Sequence, residues 1–358
     1  MNDARLRSGS PPREERPDDV SAGAGTSAPR PHGLNGAASV YAALDLGTNN
    51  CRLLIARPDG DSFHVIDSFS RIIRLGEGIS TTGRISDAAI ARALAALRIC
   101  RDKIRFRNAT RLRLIATEAC RAAANADQFR ARVANDLGIK LEVIGRETEA
   151  TLAVLGCSPL LEANARGAIL FDIGGGSTEV VRITRNADDP HGRPTIDGWA
   201  SLPLGVVTLA ERFGGKDVTS ELYAAMVAAV AADVAPFAQA HGGDLAGMHL
   251  LGTSGTVTTV AGVYLDLPRY DRRRIDGIWM DDADVTRAIA RLLGMSYQQR
   301  ADNACIGVER ADLVLAGCAI LDAIRQAFPL PRLRVADRGL REGMLIEMMR
   351  DDRAARVS

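Results

Sequence analysis

The sequence is poor in the residues that usually build metal or redox centres. It contains five histidines in 358 residues, and aromatic residues make up only 4%. The histidines are scattered without metal-ligand spacing, which argues against a zinc site. The cysteines also stand far apart, with no C-x-x-C pair: Cys51, Cys100, Cys120, Cys157, Cys305 and Cys318. Because most of them lie within apolar runs, we expect buried free thiols in a reducing cytoplasm.

The sequence also lacks long apolar runs, and its net charge is close to zero. No segment approaches 18 uncharged apolar residues, and the best candidate, residues 222–240, contains Asp233 and Pro236 and predicts an Ala-rich soluble helix. The N-terminus has no apolar signal core, so we expect a cytoplasmic protein without a membrane partner. The formal net charge of +1 gives no overall attraction to nucleic acid. We therefore expect no specific nucleic-acid partner, and any site for a polyanion must be local.

Several familiar catalytic signatures are absent as well. The sequence has no Gly-Lys-Ser/Thr of a P-loop and no G-x-G-x-x-G dinucleotide fingerprint. It contains no G-x-S-x-G nucleophile elbow and no Ser, His and Asp in triad order. The chemistry must therefore come from other stretches of the chain.

A glycine-rich turn between two apolar stretches organises residues 168–181. The first stretch ends in Asp172, and three glycines and a serine at 174–177 lead into the second. Glycines let backbone N–H groups approach an anion closely, and an ordinary hairpin turn usually needs only one or two of them. Asp172 and Glu179 offer oxygen ligands for a hard cation such as Mg²⁺. The pattern predicts a phosphate site at a strand–turn–strand hairpin, with a plain hairpin as the alternative.

A second copy of this pattern occurs at residues 40–55. Its apolar run also ends in an aspartate, Asp45, at the position that corresponds to Asp172, and a glycine and a hydroxyl residue follow. Two such hairpins separated by a domain-sized interval predict two similar lobes that face each other. A phosphate chain and its metal ion would then lie between the lobes.

A third glycine-rich loop follows an apolar run that begins at Met248. Gly252, Ser254 and Gly255 lie where the predicted strand passes into a helix. The N-terminus of a helix beside small residues can receive an anion or the edge of a nucleoside. The alternative is a packed turn that simply requires small residues.

Single charged residues mark further candidates. Arg121 lies close to a predicted strand-to-helix junction, the usual edge of an α/β cleft, where a guanidinium can bind two phosphate oxygens. The alternative is an ion pair with a local carboxylate. Glu147 and Glu149 occupy the first turn of a predicted helix, where the helix dipole alone favours carboxylates. Either glutamate is a candidate catalytic residue.

Local patterns predict several elements. Ser86 is the expected N-cap of a helix over 87–106, and Thr219 is the expected N-cap of the Ala-rich helix, which runs to about residue 240. Residues 98–113 are strongly basic, which is typical of a solvated helix face, and the alternative is a track for a long polyanion. Residues 182–198 predict a polar loop, and residues 201–207 predict a strand.

The order of these elements predicts an α/β protein of two domains. Residues 1–38 are rich in Pro, Gly, Ser and Arg and predict a disordered tail. Residues 39–162 form lobe I, with the first hairpin and the candidate glutamates, and residues 163–337 form lobe II. We expect a C-terminal helix at 338–352 that packs back on lobe I.

At these residues the chain resembles the Ppx/GppA family, the exopolyphosphatases and guanosine pentaphosphate phosphohydrolases. The similarity runs in order from about residue 40 to 350. It rests on Leu44-Asp-Leu-Gly-Thr-Asn-Asn, Arg74-Leu-Gly-Glu-Gly, Ala116-Thr-x-Ala-x-Arg121, Glu147-Thr-Glu149-Ala, Phe171-Asp-Ile-Gly-Gly-Gly-Ser-Thr-Glu179, Gly252-Thr-Ser-Gly-Thr and Asp337-Arg-Gly-Leu-Arg-Glu-Gly. The resemblance implies the actin-like ATPase and sugar-kinase fold, with two ribonuclease-H-like lobes around a central cleft.

The resemblance also implies roles for individual residues. Glu149 matches the catalytic glutamate, the general base for the attacking water, and Arg121 matches a phosphate-binding arginine. Asp172 and Glu179 match acidic positions that hold magnesium, often through water, and Asp45 is the third candidate ligand. The expected phosphate-binding residues are Gly47, Thr48, Asn49, Asn50, Gly174, Gly175, Gly176, Ser177, Gly252, Ser254 and Gly255.

Two departures from the family pattern stand out. Thr148 occupies the position before the catalytic glutamate, where the family often has a second Glu. We also expect a short form without the C-terminal HD-type helical domain of the longer members.

We expect an exopolyphosphatase that uses Mg²⁺ to release terminal orthophosphate from inorganic polyphosphate. The first alternative is a phosphohydrolase of guanosine pentaphosphate (pppGpp). An alternative of another class is a regulator that binds nucleotide or polyphosphate without turnover. A homodimer is compatible with the sequence.

Overall fold

The computed structural model describes residues 39–60, 62–185 and 192–357. The tail that the composition predicts to be disordered, residues 1–38, lies outside the described residues. Within the described ranges, strands and helices alternate and build two separate mixed β-sheets. The α/β class predicted from the sequence is confirmed.

Each sheet takes its strands from one part of the chain. The first sheet contains β1 (Tyr41–Leu46), β2 (Asn50–Asp59), β3 (Ser62–Ile72), β4 (Arg111–Ala116) and β5 (Glu142–Val143). The second sheet contains β6 (Gly167–Ile173), β7 (Thr178–Thr184), β8 (Thr195–Leu202), β9 (Met248–Thr253), β10 (Trp279–Asp281) and β11 (Arg332–Ala336).

The helices follow in the same two groups. Before the second sheet come α1 (Ile79–Thr82), α2 (Asp87–Phe106), α3 (Glu118–Ala122), α4 (Ala126–Leu137), α5 (Arg146–Cys157) and a 3-10 turn (Ser158–Leu160). Later in the chain come α6 (Val206–Phe213), α7 (Ser220–His241), α8 (Gly255–Tyr264), α9 (Arg272–Ile275), α10 (Asp282–Leu293), α11 (Tyr297–Asp302), α12 (Val314–Ala327) and α13 (Leu340–Val357).

The two sheets share one topology. In the first, the order is β3-β2-β1-β4-β5, with β1, β2 and β3 antiparallel and β4 and β5 parallel to β1. In the second, the order β8-β7-β6-β9-β11 repeats this arrangement, and β10 adds an antiparallel edge strand. This repeated order is that of a ribonuclease-H-like lobe. The predicted fold, with two such lobes around a central cleft, is confirmed.

Helices α5 and α13 pack between the two sheets. Apolar residues of α5, such as Ala153 and Val154, pack against β6 and β7 of the second sheet. Residues of α13, such as Met344 and Leu345, pack against β1, β2 and β4 of the first sheet. The two helices also touch each other closely, because Gly156 and Gly343 lack side chains at the crossing. The helix that carries the candidate glutamates therefore has a fixed position between the sheets.

The caps of two long helices agree with the sequence. Ser86 Oγ accepts a hydrogen bond from Ala89 N at the start of α2, which spans the predicted 87–106. The helix α7 is capped in the same way by Thr219. It is long and apolar enough to cross a membrane by length and composition, but residues such as Met226 and Val230 are fully buried in the core of the second lobe. The remaining residues of α7 are half-buried or exposed, so one face of this helix packs on the second lobe.

One part of the second sheet differs from the prediction. The predicted strand at 201–207 is wrong, since β8 ends at Leu202 and α6 begins at Val206. The helix start is set by Gly205, whose N–H donates to Thr208 Oγ1 at 2.8 Å. The loop predicted at 182–198 is wrong at both ends, because β7 runs to Thr184 and β8 begins at Thr195.

All six cysteines are free and buried. This confirms the expectation of buried thiols. Cys51 and Cys100 touch in the core of the first lobe, with 3.9 Å between their Sγ atoms. Burial raises the pKa of the Cys120 thiol to about 11, which disfavours the nucleophilic thiolate form.

Candidate active site

Both hairpin turns line a single large cavity between the two lobes. The cavity has a volume of about 830 Å³. It brings together all but two of the predicted site residues: Asp45, Gly47, Thr48, Asn49, Asn50, Glu149, Asp172, Gly174, Gly175, Gly176, Ser177, Glu179, Ser254 and Gly255. The two that do not line it are Arg121 and Gly252.

The two turns have the same internal geometry and touch each other. Gly47 N donates to Asn50 O at 2.8 Å, and Gly174 N donates to Ser177 O at 2.9 Å. A Cβ placed on Gly175 would lie 3.0 Å from the backbone nitrogen of Asn49. Glycine is therefore required here by the close approach of the opposing hairpin. The contact brings the backbone of both turns to one end of the cavity.

Three carboxylates lie beside these turns. Burial, partly offset by Arg52, raises the pKa of Asp172 to about 6. Burial and repulsion by Asp172 raise the pKa of Glu179 to about 7, although Glu179 Oε1 accepts hydrogen bonds from Ser177 and Ser201. Burial also raises the pKa of Asp45. The ionised carboxylates therefore repel one another, and a bound cation would relieve this repulsion.

The donor set fits a partly hydrated Mg²⁺ ion. No group of three His, Cys, Asp or Glu side chains within the described ranges is placed to hold a metal by itself. Mg²⁺ commonly takes only one or two carboxylates and completes its shell with water and phosphate oxygens. The side-chain oxygens of Asn49 and Asn50 are buried in the same turn without a hydrogen-bond partner. These orphaned acceptors are suited to water molecules around such an ion.

Glu149 faces the carboxylates from the first turn of α5. Its Oε2 accepts a hydrogen bond from Arg121 Nη2 at 2.8 Å, and its side chain is 13% exposed. Burial and repulsion by Glu179 raise the pKa of Glu149 well above its usual range, while Arg121 acts in the opposite direction. Glu147 is exposed and does not line the cavity. Geometry therefore selects Glu149 from the two candidate glutamates.

Arg121 is placed differently from the expectation. Its guanidinium donates to Glu118 Oε2, to Ile144 O and to Glu149 Oε2, each at 2.8 Å. This half-buried cation needs carboxylates nearby to offset the loss of water, and Glu118 and Glu149 provide them. In this structure Arg121 orients Glu149 rather than lining the cavity, and direct binding of phosphate by Arg121 stays a prediction.

Gly252 also departs from the expected role. It lies in β9, where a Cβ would come within 2.6 Å of the Phe171 ring. The glycine is needed because Phe171 fills this space in the sheet core. The neighbouring Ser254 does line the cavity, and its Oγ caps α8 by accepting hydrogen bonds from Thr256 N and Val257 N.

The sequence reasoning missed a pair of arginines in the cavity wall. Arg52 Nη2 and Arg310 Nη1 lie 3.9 and 3.8 Å from the point where a Cβ on Gly255 would be. Neither side chain has a hydrogen bond or ion pair to any residue that the structure describes. Burial and the charge of Arg52 lower the pKa of Arg310. This is a ready anion site at the N-terminus of α8.

The sequence pattern of the first hairpin could have identified Arg52 as a cavity residue. Arg52 pairs with Asp45 across β1 and β2, so both side chains lie on the same face of the sheet. The period-2 alternation of a strand therefore places Arg52 beside the predicted metal ligand. Arg310 comes from an irregular segment before α12, and no comparable pattern marks it.

The fold and the cavity define an enzyme class. Two ribonuclease-H-like lobes face each other, and the cleft between them holds paired phosphate-type turns, clustered carboxylates and a buried glutamate. This arrangement is that of a phosphoryl-processing protein of the actin-like ATPase fold. The sequence model of the "Ppx/GppA phosphatase family" matches residues 54–352. The chain belongs to this family, and it is a phosphoanhydride hydrolase.

Individual relatives agree with this assignment. "Exopolyphosphatase 2" of Mycobacterium tuberculosis is 30% identical over 321 residues, covering 86% of this chain and 98% of that protein. "Guanosine-5'-triphosphate,3'-diphosphate pyrophosphatase" of Photobacterium profundum is 29% identical, covering 87% of this chain and 59% of that protein. The crystal structure of the Aquifex aeolicus family member has a TM-score of 0.71 at 26% identity, covering 88% of this chain and 98% of that one.

Proposed function

We propose that this enzyme is an exopolyphosphatase that releases terminal orthophosphate from inorganic polyphosphate. The observation that carries the proposal is the placement of Glu149 in the same cavity as both hairpin turns. A protein named exopolyphosphatase aligns with this chain over 98% of its own length, which favours the same substrate.

The terminal phosphoryl group binds between the two turns, where backbone N–H groups donate to its oxygens. The Ser177 hydroxyl, which donates to Glu179 in the structure, would rotate to donate to a phosphate oxygen. Glu149 accepts a proton from a water molecule that lies in line with the scissile anhydride bond. The water oxygen bonds to the terminal phosphorus while the anhydride bond breaks, and the polyphosphate chain shortened by one unit is the leaving group. Arg121 keeps the Glu149 carboxylate aimed into the cavity.

Asp172 and Glu179, with Asp45 nearby, would hold Mg²⁺ together with water and phosphate oxygens. The ion would supply charge neutralisation at the phosphate oxygens.

Arg52 and Arg310 extend the site beyond the terminal group. Their guanidiniums, which have no ion-pair partner among the described residues, and the N-terminus of α8 provide positive potential for the following phosphates. The basic stretch at 98–113 does not contribute, because none of its residues lines the cavity. Lys103 and Arg107 in that stretch instead bind Asp67, at 2.7 and 2.8 Å. The predicted basic track at 98–113 is therefore not part of this cavity.

A phosphate-release screen tests this proposal. The purified protein in Mg²⁺ is offered short and long polyphosphate, pppGpp, GTP and ATP, with the Glu149→Gln protein as control. We expect the highest kcat/KM with polyphosphate and release at least about a hundredfold slower by the control. Release from none of the substrates would instead indicate a binding protein without turnover.

A second candidate substrate is pppGpp. The cavity wall includes an apolar side chain that is 63% exposed, Val308, and it also includes Leu54 and Ser68. Polyphosphate has no group that benefits from such a neutral surface, whereas a nucleoside does. A kcat/KM for pppGpp above that for polyphosphate in the same screen would make the nucleotide the preferred substrate.

Mg²⁺ is expected to stabilise the protein more at high pH than at low pH. With raised pKa values of about 6 and 7, Asp172 and Glu179 hold protons at pH 5.5 and lose them at pH 8. Only the ionised groups attract the ion, so its effect grows with pH. A hundredfold excess of ligand over Kd stabilises a folded protein by about 2.7 kcal/mol. Thermal unfolding in MgCl₂ measures the effect.

Sodium chloride of equal ionic strength is the control for the magnesium experiment. The Asp172→Asn variant should lose most of the stabilisation at pH 8, because it removes one of the repelling carboxylates. Equal melting temperatures in the two salts at pH 8 would contradict the magnesium site.

A further inference from the structure

An ion pair joins the two lobes outside the cavity. Arg74, in the segment after β3, donates from Nη1 and Nη2 to the two carboxylate oxygens of Asp312, both at 2.9 Å. The same Nη2 donates to the backbone oxygen of Glu309 at 3.1 Å. The side chains of Arg74 and Asp312 are 29% and 22% exposed, so the pair is largely shielded from water. A two-point guanidinium–carboxylate contact fixes both distance and orientation.

The backbone around Arg74, at one end of this ion pair, is hydrogen-bonded to the first hairpin. The backbone nitrogens of Ile73 and Arg74 both donate to Asn49 O, at 2.8 and 3.1 Å, and Gly76 N donates to Thr48 O at 2.9 Å. Arg74 itself has φ = 46°. This left-handed conformation is uncommon for a residue other than glycine, and it is maintained here by these hydrogen bonds. Movement of Arg74 is therefore coupled to the phosphate turn.

At the other end, the pair holds the segment that carries Arg310. Arg74 contacts this short segment at two points, Glu309 O and the Asp312 carboxylate, and Arg310 lies between them. The segment is closed by a hydrogen bond from Leu313 N to Arg310 O at 2.9 Å. Arg310 itself lines the cavity beside Arg52. Because its own guanidinium has no carboxylate partner in the described chain, the backbone must set its position.

We propose that Arg74 is a positioning residue for substrate binding. Through Glu309 and Asp312 it holds Arg310 of the second lobe opposite Arg52 of the first, so that both guanidiniums reach the same phosphate group. Arg74 does not line the main cavity and does not touch the substrate there. A second contact between the lobes, from Gly78 N to Glu211 Oε1 at 2.8 Å, supports the same closed arrangement. The inference rests on the proposed role of Arg310 in binding the polyanion.

Removing either partner should weaken substrate binding while leaving the chemical step almost unchanged. We expect Arg74→Met and Asp312→Asn each to raise KM for polyphosphate about tenfold, less than the loss found for one partner of a fully buried charge pair, because both side chains here are partly exposed. The kcat should stay within about threefold, because Glu149 and both turns are untouched. Charge exchange, Arg74→Asp with Asp312→Arg, should restore most of the affinity. Aspartate also tolerates the left-handed conformation at position 74.

Further variants distinguish a failure of the substrate-binding role of Arg310 from a failure of the positioning role of Arg74. Arg310→Gln should raise KM by itself, and adding Asp312→Asn to it should have little further effect, because both changes act on one interaction. Asp127→Asn is the matched control, since it breaks the exposed Arg130–Asp127 pair within one lobe and should leave KM unchanged. Hydrogen exchange of residues 307–313 reports the position of the segment independently of activity, and it should increase in Asp312→Asn.

Three outcomes of these experiments would overturn the positioning role of Arg74. If Arg310→Gln leaves KM unchanged, the polyanion role of Arg310 fails, and the positioning role fails with it. If Arg310→Gln raises KM but Asp312→Asn changes neither KM nor exchange, only the positioning role is overturned and the proposed function stands. A fall in kcat and melting temperature that charge exchange does not rescue would identify a purely structural pair and would also overturn the proposal.

Discussion

Glu149→Gln is expected to lower kcat for phosphate release by about 10²–10⁴-fold, the usual contribution of a general base. Glutamine has the same shape and can still accept the hydrogen bond from Arg121, so the variant removes the proton acceptor and little else. Release of orthophosphate from saturating polyphosphate in Mg²⁺ measures the effect. The melting temperature of the variant shows whether the fold is preserved.

Glu147→Gln is the control for this prediction. It lies on the same helical turn, but its side chain is exposed and outside the cavity, so kcat should stay within about twofold. A Glu149→Gln protein with kcat within about threefold of wild type would show that the base is another group.

The proposed role of Glu149 as the base also predicts how kcat/KM changes with pH. Burial and repulsion by Glu179 raise the pKa of Glu149, so the base is protonated in acid and becomes active as the pH rises. We expect kcat/KM to increase from pH 5 upward in the wild type. A profile that is flat between pH 5 and 9 is incompatible with this base.

Gly343→Ala is expected to destabilise the protein and to impair catalysis together. A Cβ at Gly343 would lie 2.0 Å from the backbone oxygen of Leu152, so α13 and α5 must move apart. Inserting atoms into a packed interior typically costs about 1–3 kcal/mol. Since α5 carries Glu149, the displacement should also lower kcat. Denaturant unfolding measures the loss of free energy, and phosphate release measures the loss of activity.

Gly243→Ala is the matched glycine control. No atom lies within 4 Å of the added Cβ, and the backbone there is not in the left-handed region. We expect a change in unfolding free energy within about 0.5 kcal/mol, as for most surface substitutions. If Gly343→Ala has an equally small effect, the close approach of α5 and α13 is not needed for stability.

Local pattern was enough for much of the fold. Each hairpin is a short-range unit, in which the apolar alternation of the strands and the intervening glycines determine the turn regardless of distant partners. Helix caps such as Ser86 and Thr219 also act over three residues, so their positions could be read directly. The strand at 201–207 was misplaced because the apolar residues from Leu202 to Val207 are interrupted by Pro203 and Gly205, and so short a stretch does not distinguish strand from helix by periodicity.

By itself, the sequence therefore determined the two Asp-containing hairpins and the lobed α/β fold, and it left two first-turn glutamates as candidate catalytic residues. Only the tertiary structure decided which groups lie beside the basic side chains. Arg121 is held by Glu118 and Glu149, Arg52 meets Arg310 across the cleft, and Lys103 and Arg107 are paired with Asp67. A long charged side chain binds whichever oppositely charged group the packing brings within reach. That group is usually remote in the chain, so its identity has no local signature.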